Sequence, residues 1–265
     1  MNGKPNTDLT RATVGGGMYE AVRPYPTGDS TVARYAATAA NQGFDGIVVR
    51  SAADDPAAYE PARIRDAYGI DVVEGTEIRT TDPSRASGLL GAHRRDTTVL
   101  LVRGGTAAMN RFAVRQDRVD VLVLPVDREA DFEFALAGEA IDHDVNVALD
   151  LAGVLRRTGG TRVRAIDRLE RLWRVIDDRD VPYVVTGSPT AHLELRAPRE
   201  LVAVGALCGI DREAVEAGLR AWGRIAERNR DRRAGRVPSS GVEIVEEGET
   251  AEGTGQPDPD GEAEP

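Results

Sequence analysis

Arginine is the polar side chain that most often follows the aliphatic segments of this chain. Arg23, Arg50 and Arg103 each stand at the end of a short run of apolar residues. A guanidinium group is planar and permanently charged, and it can donate two parallel hydrogen bonds to one anion. These positions therefore favour the binding of phosphate groups.

A Gly-Gly pair follows the last of these arginines, in the segment VRGGTAAMNRFAV. Gly104 and Gly105 allow the backbone to approach a ligand closely, and the helix that begins after them presents free N–H groups to an anion. Arg103 and Arg111 add guanidinium groups to the same loop. The alternative is that Asn110 and Arg111 only cap and brace the loop, and the sequence leaves both interpretations open.

A second concentration of arginines lies in the last helical segment. The stretch RAWGRIAERNRDRRAGR contains seven arginines. Such a density is typical of an RNA-binding surface. The alternative is a solvated helix face in which Glu227 and Asp231 pair with neighbouring arginines. Candidate RNA-binding residues from this region and from the preceding segment LRAPRE are Arg196, Arg199, Arg228 and Arg230.

Histidines are too few, and too far from suitable carboxylates, to predict a metal site. The chain has three histidines, and its first predicted strand carries none of the closely spaced ligands that metal-dependent hydrolase barrels use. His192 follows a predicted strand, and with Glu77, Asp127 and Asp150 it could hold at most one weakly bound ion. We therefore predict that the chain binds no metal and no cofactor.

Nucleophilic catalysis has no better support. Cys208 lies on the apolar side of a helix in VAVGALCG, where an inert buried thiol is expected. Ser188 in TGSPT lacks a strand-to-helix elbow with flanking glycines and has no evident base. We predict no catalytic residue, and we group Ser188 with Gly104 and Gly105 as residues that shape loops or offer backbone groups.

Seven aliphatic runs predict the strands that must position these side chains. Most of them are continuous stretches of Val, Ile and Leu, as parallel strands buried on both faces require. The predicted strands cover residues 19–22, 46–50, 72–78, 98–102, 119–124, 145–151 and 183–186.

Helical patterns with start signals alternate with these runs. Asp29 or Ser30 is predicted to cap the first helix, Thr161 opens a longer one, Pro198 starts another, and Asp211 caps the last. Residues 18–233 are close to the lower size limit of about 200 residues for a (β/α) barrel, and no G-x-G-x-x-G fingerprint follows the first strand. We predict an α/β fold, a TIM-barrel-like, distorted seven-stranded (β/α) barrel.

The net charge differs between the C-terminal residues and the rest of the chain. The net charge is −10, but the residues from 237 onward contain nine acidic side chains and no basic one, so that the rest is close to neutral. We predict a mobile leader at residues 1–17, the barrel at 18–233, and an acidic disordered tail at 234–265. The abundance of Asp, with Lys4 the only lysine, is typical of proteins from extreme halophiles.

The expected location is the cytoplasm. The chain has one cysteine, so it has no internal disulfide framework. It contains no apolar run of the roughly 18 residues that a bilayer-spanning helix needs, and its N-terminal residues lack the apolar core of a secretory signal. We expect no association with a membrane.

Several motifs in a fixed order resemble those of one family, the barrel-shaped protein component 3 of archaeal ribonuclease P, which is shared with the eukaryotic enzyme. The resemblance covers about residues 18–230. It rests on the segments MYEAVRPYPTG, FDGIVVR, VRGG…NRFAV…VDVLVLP, VNVALDLAGVLRRTGGTRVRAIDRL, PYVVTGSPT and LELRAPRELVAVGALCGIDREAVEAGL, and on the terminal ERNR.

This resemblance implies a barrel related to the PHP (polymerase-and-histidinol-phosphatase) fold. It also implies a non-catalytic, RNA-supporting subunit of the ribonucleoprotein that removes the 5′ leader from precursor tRNA. The RNA subunit is then expected to hold the Mg²⁺ ions. The implied partners are the ribonuclease P RNA, protein component 2 in a heterotetramer, and the other protein subunits. At the family's GG…NR signature the resemblance points to Arg103, Asn110 and Arg111 as a binding and bracing element. The full set of candidate RNA-binding residues is Arg23, Arg50, Arg103, Asn110, Arg111, Arg196, Arg199, Arg228 and Arg230.

Two other functions remain open at this point. One is an autonomous metal-dependent phosphoesterase of the PHP barrel type, which would need stoichiometric metal on the isolated chain. The other is a sugar-phosphate enzyme that uses the Gly-Gly loop as a phosphate cradle. The second would need a positioned proton-transfer group near that loop, and the sequence offers none.

Overall fold

Seven parallel strands form the centre of the molecule. The computed structural model describes residues 16–125, 132 and 134–235. The strands are hydrogen-bonded in chain order, and they are β1 (Tyr19–Val22), β2 (Gly46–Ala52), β3 (Asp71–Ile78), β4 (Val99–Arg103), β5 (Val121–Val123), β6 (Asn146–Asp150) and β7 (Tyr183–Thr186). Each lies where an aliphatic run predicts it, and every residue of β2 is buried, as a strand covered on both faces must be.

Helices follow the strands and cover the outside of the sheet. They are α1 (Val32–Asn41), α2 (Pro61–Tyr68), α3 (Pro83–His93), α4 (Ala107–Val114), α5 (Phe134–Asp142), α6 (Ala152–Arg156), α7 (Gly159–Arg179), α8 (Pro198–Ala206) and α9 (Arg212–Arg233). The predicted seven-stranded, TIM-barrel-like α/β fold is thereby confirmed.

Two helix starts differ from the prediction. Thr31 caps α1 by accepting a hydrogen bond from the Arg34 amide, whereas Ser30 is buried and bonded to His192 instead. The helix predicted to open at Thr161 begins two residues earlier. The predicted cap at Asp211 is confirmed, because its Oδ1 lies 2.7 Å from the Ala214 amide.

The inside of the barrel is filled by side chains and closed at one end by α9. Alternate strand residues such as Val48, Val73, Leu101 and Val184 form an inner apolar cluster with Trp222 of α9. The indole Nε1 of Trp222 donates to the Val185 carbonyl at 2.8 Å. A (β/α) barrel of this size has a packed interior and no pore. Here α9 crosses the amino-terminal ends of the strands and seals them.

The sheet is not continuous between β1 and β7. No ladder joins these two described strands, and the Glu20 carboxylate lies between them. It accepts hydrogen bonds from the Ala21 amide, from Thr186 Oγ1 at 2.5 Å and from the Gly187 amide at 3.0 Å. One side chain therefore pairs polar groups on both sides of the seam, which would otherwise be buried without partners.

The regular elements run from Tyr19 to Arg233. The predicted leader and tail fall almost wholly outside the described residues. Among the described helices, none is both long enough and apolar enough to cross a membrane.

Candidate functional site

The carboxyl ends of the strands form a polar rim, which we call the barrel mouth. Side chains alternate along a strand, so the residue two positions after an inner core residue also points inward. Arg50 follows Val48, Arg103 follows Leu101, and Asp150 follows Ala148 in this way. Together the polar side chains of the barrel mouth are Arg23, Arg50, Glu77, Arg79, Arg103, Asp150 and Ser188.

Glu77 is the anionic centre of the barrel mouth. Its carboxylate is fully buried and accepts from Arg50 Nη2 at 3.0 Å and from Arg79 Nη2 at 2.8 Å, with Arg23 Nε at 4.0 Å. Burial alone would raise the pKa of this carboxyl, but the guanidinium groups of Arg50, Arg79 and Arg23 outweigh it and hold the pKa at about 2. Glu77 is thus a fixed negative charge at neutral pH and is not suited to proton transfer.

Arg50 links Glu77 to the opposite wall of the barrel. Its Nη1 donates to Ser188 Oγ at 2.7 Å, and Ser188 Oγ donates to Asp150 Oδ2 at 2.8 Å. The side chain of Arg50 is completely buried, and Ser188 is 4% exposed. The predicted contact of Arg50 with RNA stays a prediction. Both of its terminal nitrogens are already hydrogen-bonded inside the barrel, and its role is to hold the barrel mouth together.

The Gly-Gly loop is braced from within. Asn110 is fully buried, and its Oδ1 accepts from the Gly105 amide at 2.9 Å. A Cβ atom on Gly104 would lie 2.1 Å from the same oxygen, so the close approach that glycine permits here is to Asn110. Asn110 thus braces the loop in this structure, and its predicted contact with RNA stays a prediction. Arg111, on the outer surface of α4, is exposed.

Four arginines converge on a cavity at the barrel mouth. The cavity has a volume of about 250 Å³, and Ser188 and Asp150 also line it. We call its four basic side chains, Arg23, Arg103, Arg156 and Arg157, the arginine pocket. Burial and the nearby Arg50 lower the pKa of Arg23 to about 10, so it stays charged at neutral pH. The side chains of Arg103 and Arg157 form no hydrogen bond or ion pair within the described part of the chain.

The remaining predicted arginines do not join the barrel mouth. Arg196 donates to the carbonyls of Leu193 and Leu195 and so supports a turn, while Arg199 is exposed at the start of α8. Arg228 and Arg230 lie at the opposite end of the barrel. Arg230 forms a bidentate pair with Asp71, with both distances 2.9 Å, and Arg228 pairs with Asp144 and Asp120. The predicted RNA-binding residues therefore lie partly at the barrel mouth and partly at the opposite end of the barrel.

Sequence reasoning missed three residues of this site. Arg156 donates to the Gly187 carbonyl at 2.7 Å and pairs with Glu194. It and Arg157 follow β6 in the segment VLRRTGG, where adjacent arginines after a strand were an available signal. Glu20 is the third, and burial raises its pKa to about 7. An acidic residue inside the short run YEAV was its signal.

The described residues offer no constellation for metal binding or nucleophilic attack. No group of three or more His, Cys, Asp or Glu side chains is placed to hold an ion among them, and Asp127 lies outside them. His192 is bonded through Nδ1 to Ser30. Cys208 is buried, as predicted, and burial raises the pKa of its thiol to about 11. The barrel mouth is suited to holding an anion.

Comparison with known proteins identifies related sequences. A family profile described as RNase P subunit p30 matches residues 17–234. The ribonuclease P protein component 3 of Haloarcula marismortui is 49% identical over 235 residues, which cover 89% of this chain and all of that protein. The protein of the same name from Methanosarcina barkeri is 31% identical, over 86% of this chain and 95% of that one.

Solved structures show the same fold at lower identity. A chain in a cryo-EM structure of archaeal ribonuclease P with mature tRNA superposes with a TM-score of 0.71 at 20% identity, covering 88% of this chain and all of that one. Histidinol phosphate phosphatase from Lactococcus lactis, solved with zinc, L-histidinol and phosphate, has a TM-score of 0.50 at 7% identity, covering 72% of this chain and 92% of that one. The fold is therefore similar to barrels of the PHP type.

Proposed function

Because the chain belongs to the RNase P subunit p30 family, we propose that it is a protein subunit of ribonuclease P, in which it binds and supports the RNA. The reaction of that particle is the removal of the 5′ leader from precursor tRNA. In this role the chain performs no chemistry of its own. It binds no cofactor, and the RNA subunit holds the Mg²⁺ ions that cleavage needs.

The observation that carries this proposal is the arginine pocket. Arg103 and Arg157 present guanidinium groups that no described residue neutralises, beside the half-buried Arg23. Glu77 and Asp150 hold this cluster together through Arg50 and Ser188. Preorganised guanidinium groups favour phosphate oxygens, since little conformational entropy is lost on binding. A phosphodiester of the RNA fits this chemistry.

The surfaces away from the barrel mouth are available for protein partners. We propose that component 2 and the other protein subunits contact the helical exterior and that the complex with component 2 is a heterotetramer. We place the particle in the cytoplasm. Arg111 and Arg199 are exposed on α4 and α8, and we retain both as candidate contacts to RNA at the edge of such an assembly.

Reconstitution tests the proposal directly. Purified chain, ribonuclease P RNA and component 2 are combined in concentrated KCl with Mg²⁺ and assayed on precursor tRNA. We expect the chain alone to be inactive and to raise cleavage when it is added to the RNA and component 2. Arg103→Gln with Arg157→Gln should lower RNA affinity and cleavage together, by about tenfold or more, because two phosphate contacts are lost.

A matched pair of substitutions controls for charge. Arg63 and Arg85 are exposed on α2 and α3 and form no hydrogen bond or ion pair within the described residues. Arg63→Gln with Arg85→Gln removes the same charge and should leave cleavage unchanged. Hydrolysis of RNA by the isolated chain that a chelator abolishes would contradict the proposal and favour the autonomous phosphoesterase.

A further inference from the structure

A second basic surface lies at the closed end of the barrel, opposite the barrel mouth. It is a groove of about 480 Å³ between the end of α3, the loop before β5 and the last turns of α9. We call it the basal groove. Its lining residues are Arg94, Arg95, Asp117, Arg118, Asp120, Asn229, Arg232 and Arg233.

The floor of the basal groove is a buried hydrogen-bond network centred on Asp120. This carboxylate accepts from Arg94 Nη1 at 2.6 Å, from the Leu100 amide at 2.7 Å and from Asn229 Nδ2 at 2.7 Å. Arg94 Nη1 also donates to the Arg118 carbonyl at 3.1 Å. The network fixes the backbone of three separate segments relative to one another, so that the rim of the groove has a defined geometry.

The rim carries positive charge that no carboxylate of the described residues neutralises. The side chains of Arg95, Arg118, Arg232 and Arg233 are exposed and form no hydrogen bond or ion pair with any described residue. The one exposed carboxylate of the lining, Asp117, is hydrogen-bonded to His143 Nδ1 at 2.6 Å. Four guanidinium groups without a partner among the described residues thus lie together on a chain whose net charge is −10.

We propose that the basal groove is a second binding site for the phosphodiester backbone of RNA. The groove is open, and its cations come from three elements and face solvent, which suits an extended polyanion better than a small enclosed ligand. Arginine forks bind successive phosphates without reading the bases. The identity of the polyanion rests on the proposed function, while the site itself rests on the unpaired arginines and their buried floor.

The position of the groove has a structural consequence. The arginine pocket and the basal groove lie at opposite ends of the strands. A few consecutive nucleotides of RNA therefore cannot contact both sites at once. A chain that binds phosphate at both ends connects two separate segments of RNA. The barrel then serves as a rigid spacer between them.

Salt-dependent binding of defined probes tests the inference. The probes are a fluorescein-labelled 20-base-pair RNA duplex and labelled 20-nucleotide poly(U), and the readout is fluorescence anisotropy of the full chain from about 0.1 to 1 M KCl. The groove variant carries Arg95→Gln, Arg118→Gln, Arg232→Gln and Arg233→Gln. We expect its slope of log K against log[KCl] to fall by about 3, since each lost phosphate contact removes about 0.7 to 0.9.

The control variant carries Arg63→Gln, Arg85→Gln, Arg162→Gln and Arg164→Gln, at four exposed arginines elsewhere whose side chains have no partner among the described residues. It should keep the slope of the unmodified chain. An equal loss in both variants, or none in the groove variant, overturns the inference. Arg103→Gln with Arg157→Gln tests the barrel mouth separately, so a failure at either end is distinguishable. The single substitution Arg118→Glu controls for unfolding. We expect it to weaken RNA binding while the midpoint of thermal unfolding stays that of the unmodified chain.

Discussion

Arg50 and Ser188, 138 residues apart in the sequence, are joined inside the barrel by a hydrogen bond of 2.7 Å. The bond connects β2 to the loop after β7, and through Glu77 and Asp150 it ties four strand ends together. A buried guanidinium held in this way is part of the structure that positions the arginine pocket. Its substitution should therefore affect folding first and RNA binding second.

Replacing Arg50 removes one of the positive charges that neutralise the buried Glu77 carboxylate. We expect Arg50→Met to lower the free energy of unfolding by about 3 to 5 kcal/mol, because a buried carboxylate then loses a partner that cannot be replaced by water. Urea denaturation followed by circular dichroism measures the change. Arg79→Gln should cost much less, because Arg79 is 22% exposed and solvent can replace part of its contribution. Equal losses in the two variants would contradict the structural role of Arg50.

Glu20 should make stability depend on pH between about 4.5 and 7. Burial raises the pKa of its carboxyl from 4.5 to about 7 in the folded protein, so the folded state holds a proton that the unfolded state releases. Its contribution is fully present below pH 4.5 and is lost as pH rises to about 7, a fall on the order of 3 kcal/mol. Glu77, with a depressed pKa, acts only below this window.

Glu20→Gln isolates this effect, because the amide keeps an acceptor at the seam but does not ionise. We expect the difference in unfolding free energy between this variant and the unmodified chain to change by about 3 kcal/mol from pH 4.5 to pH 7.5. Urea titrations at five or six pH values suffice. A difference that stays constant over this range would show that Glu20 is ionised in the folded state throughout.

Gly104 and Asn110 should show strong energetic coupling. A methyl group at Gly104 would displace the Asn110 side chain and break its bond to the Gly105 amide, so we expect Gly104→Ala to cost about 1 to 3 kcal/mol. In an Asn110→Ala background the same change should cost at least about 1 kcal/mol less, since the clashing oxygen is gone. A double-mutant cycle by urea denaturation measures the coupling. If the two losses of unfolding free energy simply add, the need for glycine at position 104 does not come from Asn110.

Sequence patterns predict the strands of this fold well because both faces of each strand are buried. A run such as GIVVR has one plausible structure in an α/β protein, and the arginine after it must then lie at the carboxyl end of the sheet. That much places Arg23, Arg50 and Arg103 at the barrel mouth. Whether each one is buried or exposed depends on partners far away in sequence, such as Ser188, and no local pattern contains that information.

The basal groove is a second feature that the sequence alone does not predict. Arg95, Arg118 and Arg232 come from three segments that meet only because α9 crosses beneath the barrel. The sequence reveals the arginine-rich end of α9, but it cannot tell which of its arginines are neutralised. Arg228 and Arg230 pair with carboxylates of neighbouring strands and loops, whereas the side chains of Arg232 and Arg233, one turn later, pair with none in the part of the chain that the structure describes.

The acidic residues beyond α9 should weaken RNA binding. Residues 237–265 carry nine acidic side chains and no basic one, and they are attached close to Arg232 and Arg233 of the basal groove. Tethering keeps their local concentration high, so they oppose a polyanion at that end of the barrel. Deleting residues 237–265 should lower the Kd for the RNA duplex severalfold at about 0.1 M KCl, and the difference should vanish near 1 M KCl, where the Debye length is about 3 Å.

Replacing the nine acidic residues by Gln and Asn at full length should reproduce the effect. A gain from deletion that this neutral version does not reproduce would assign the effect to chain length instead of charge.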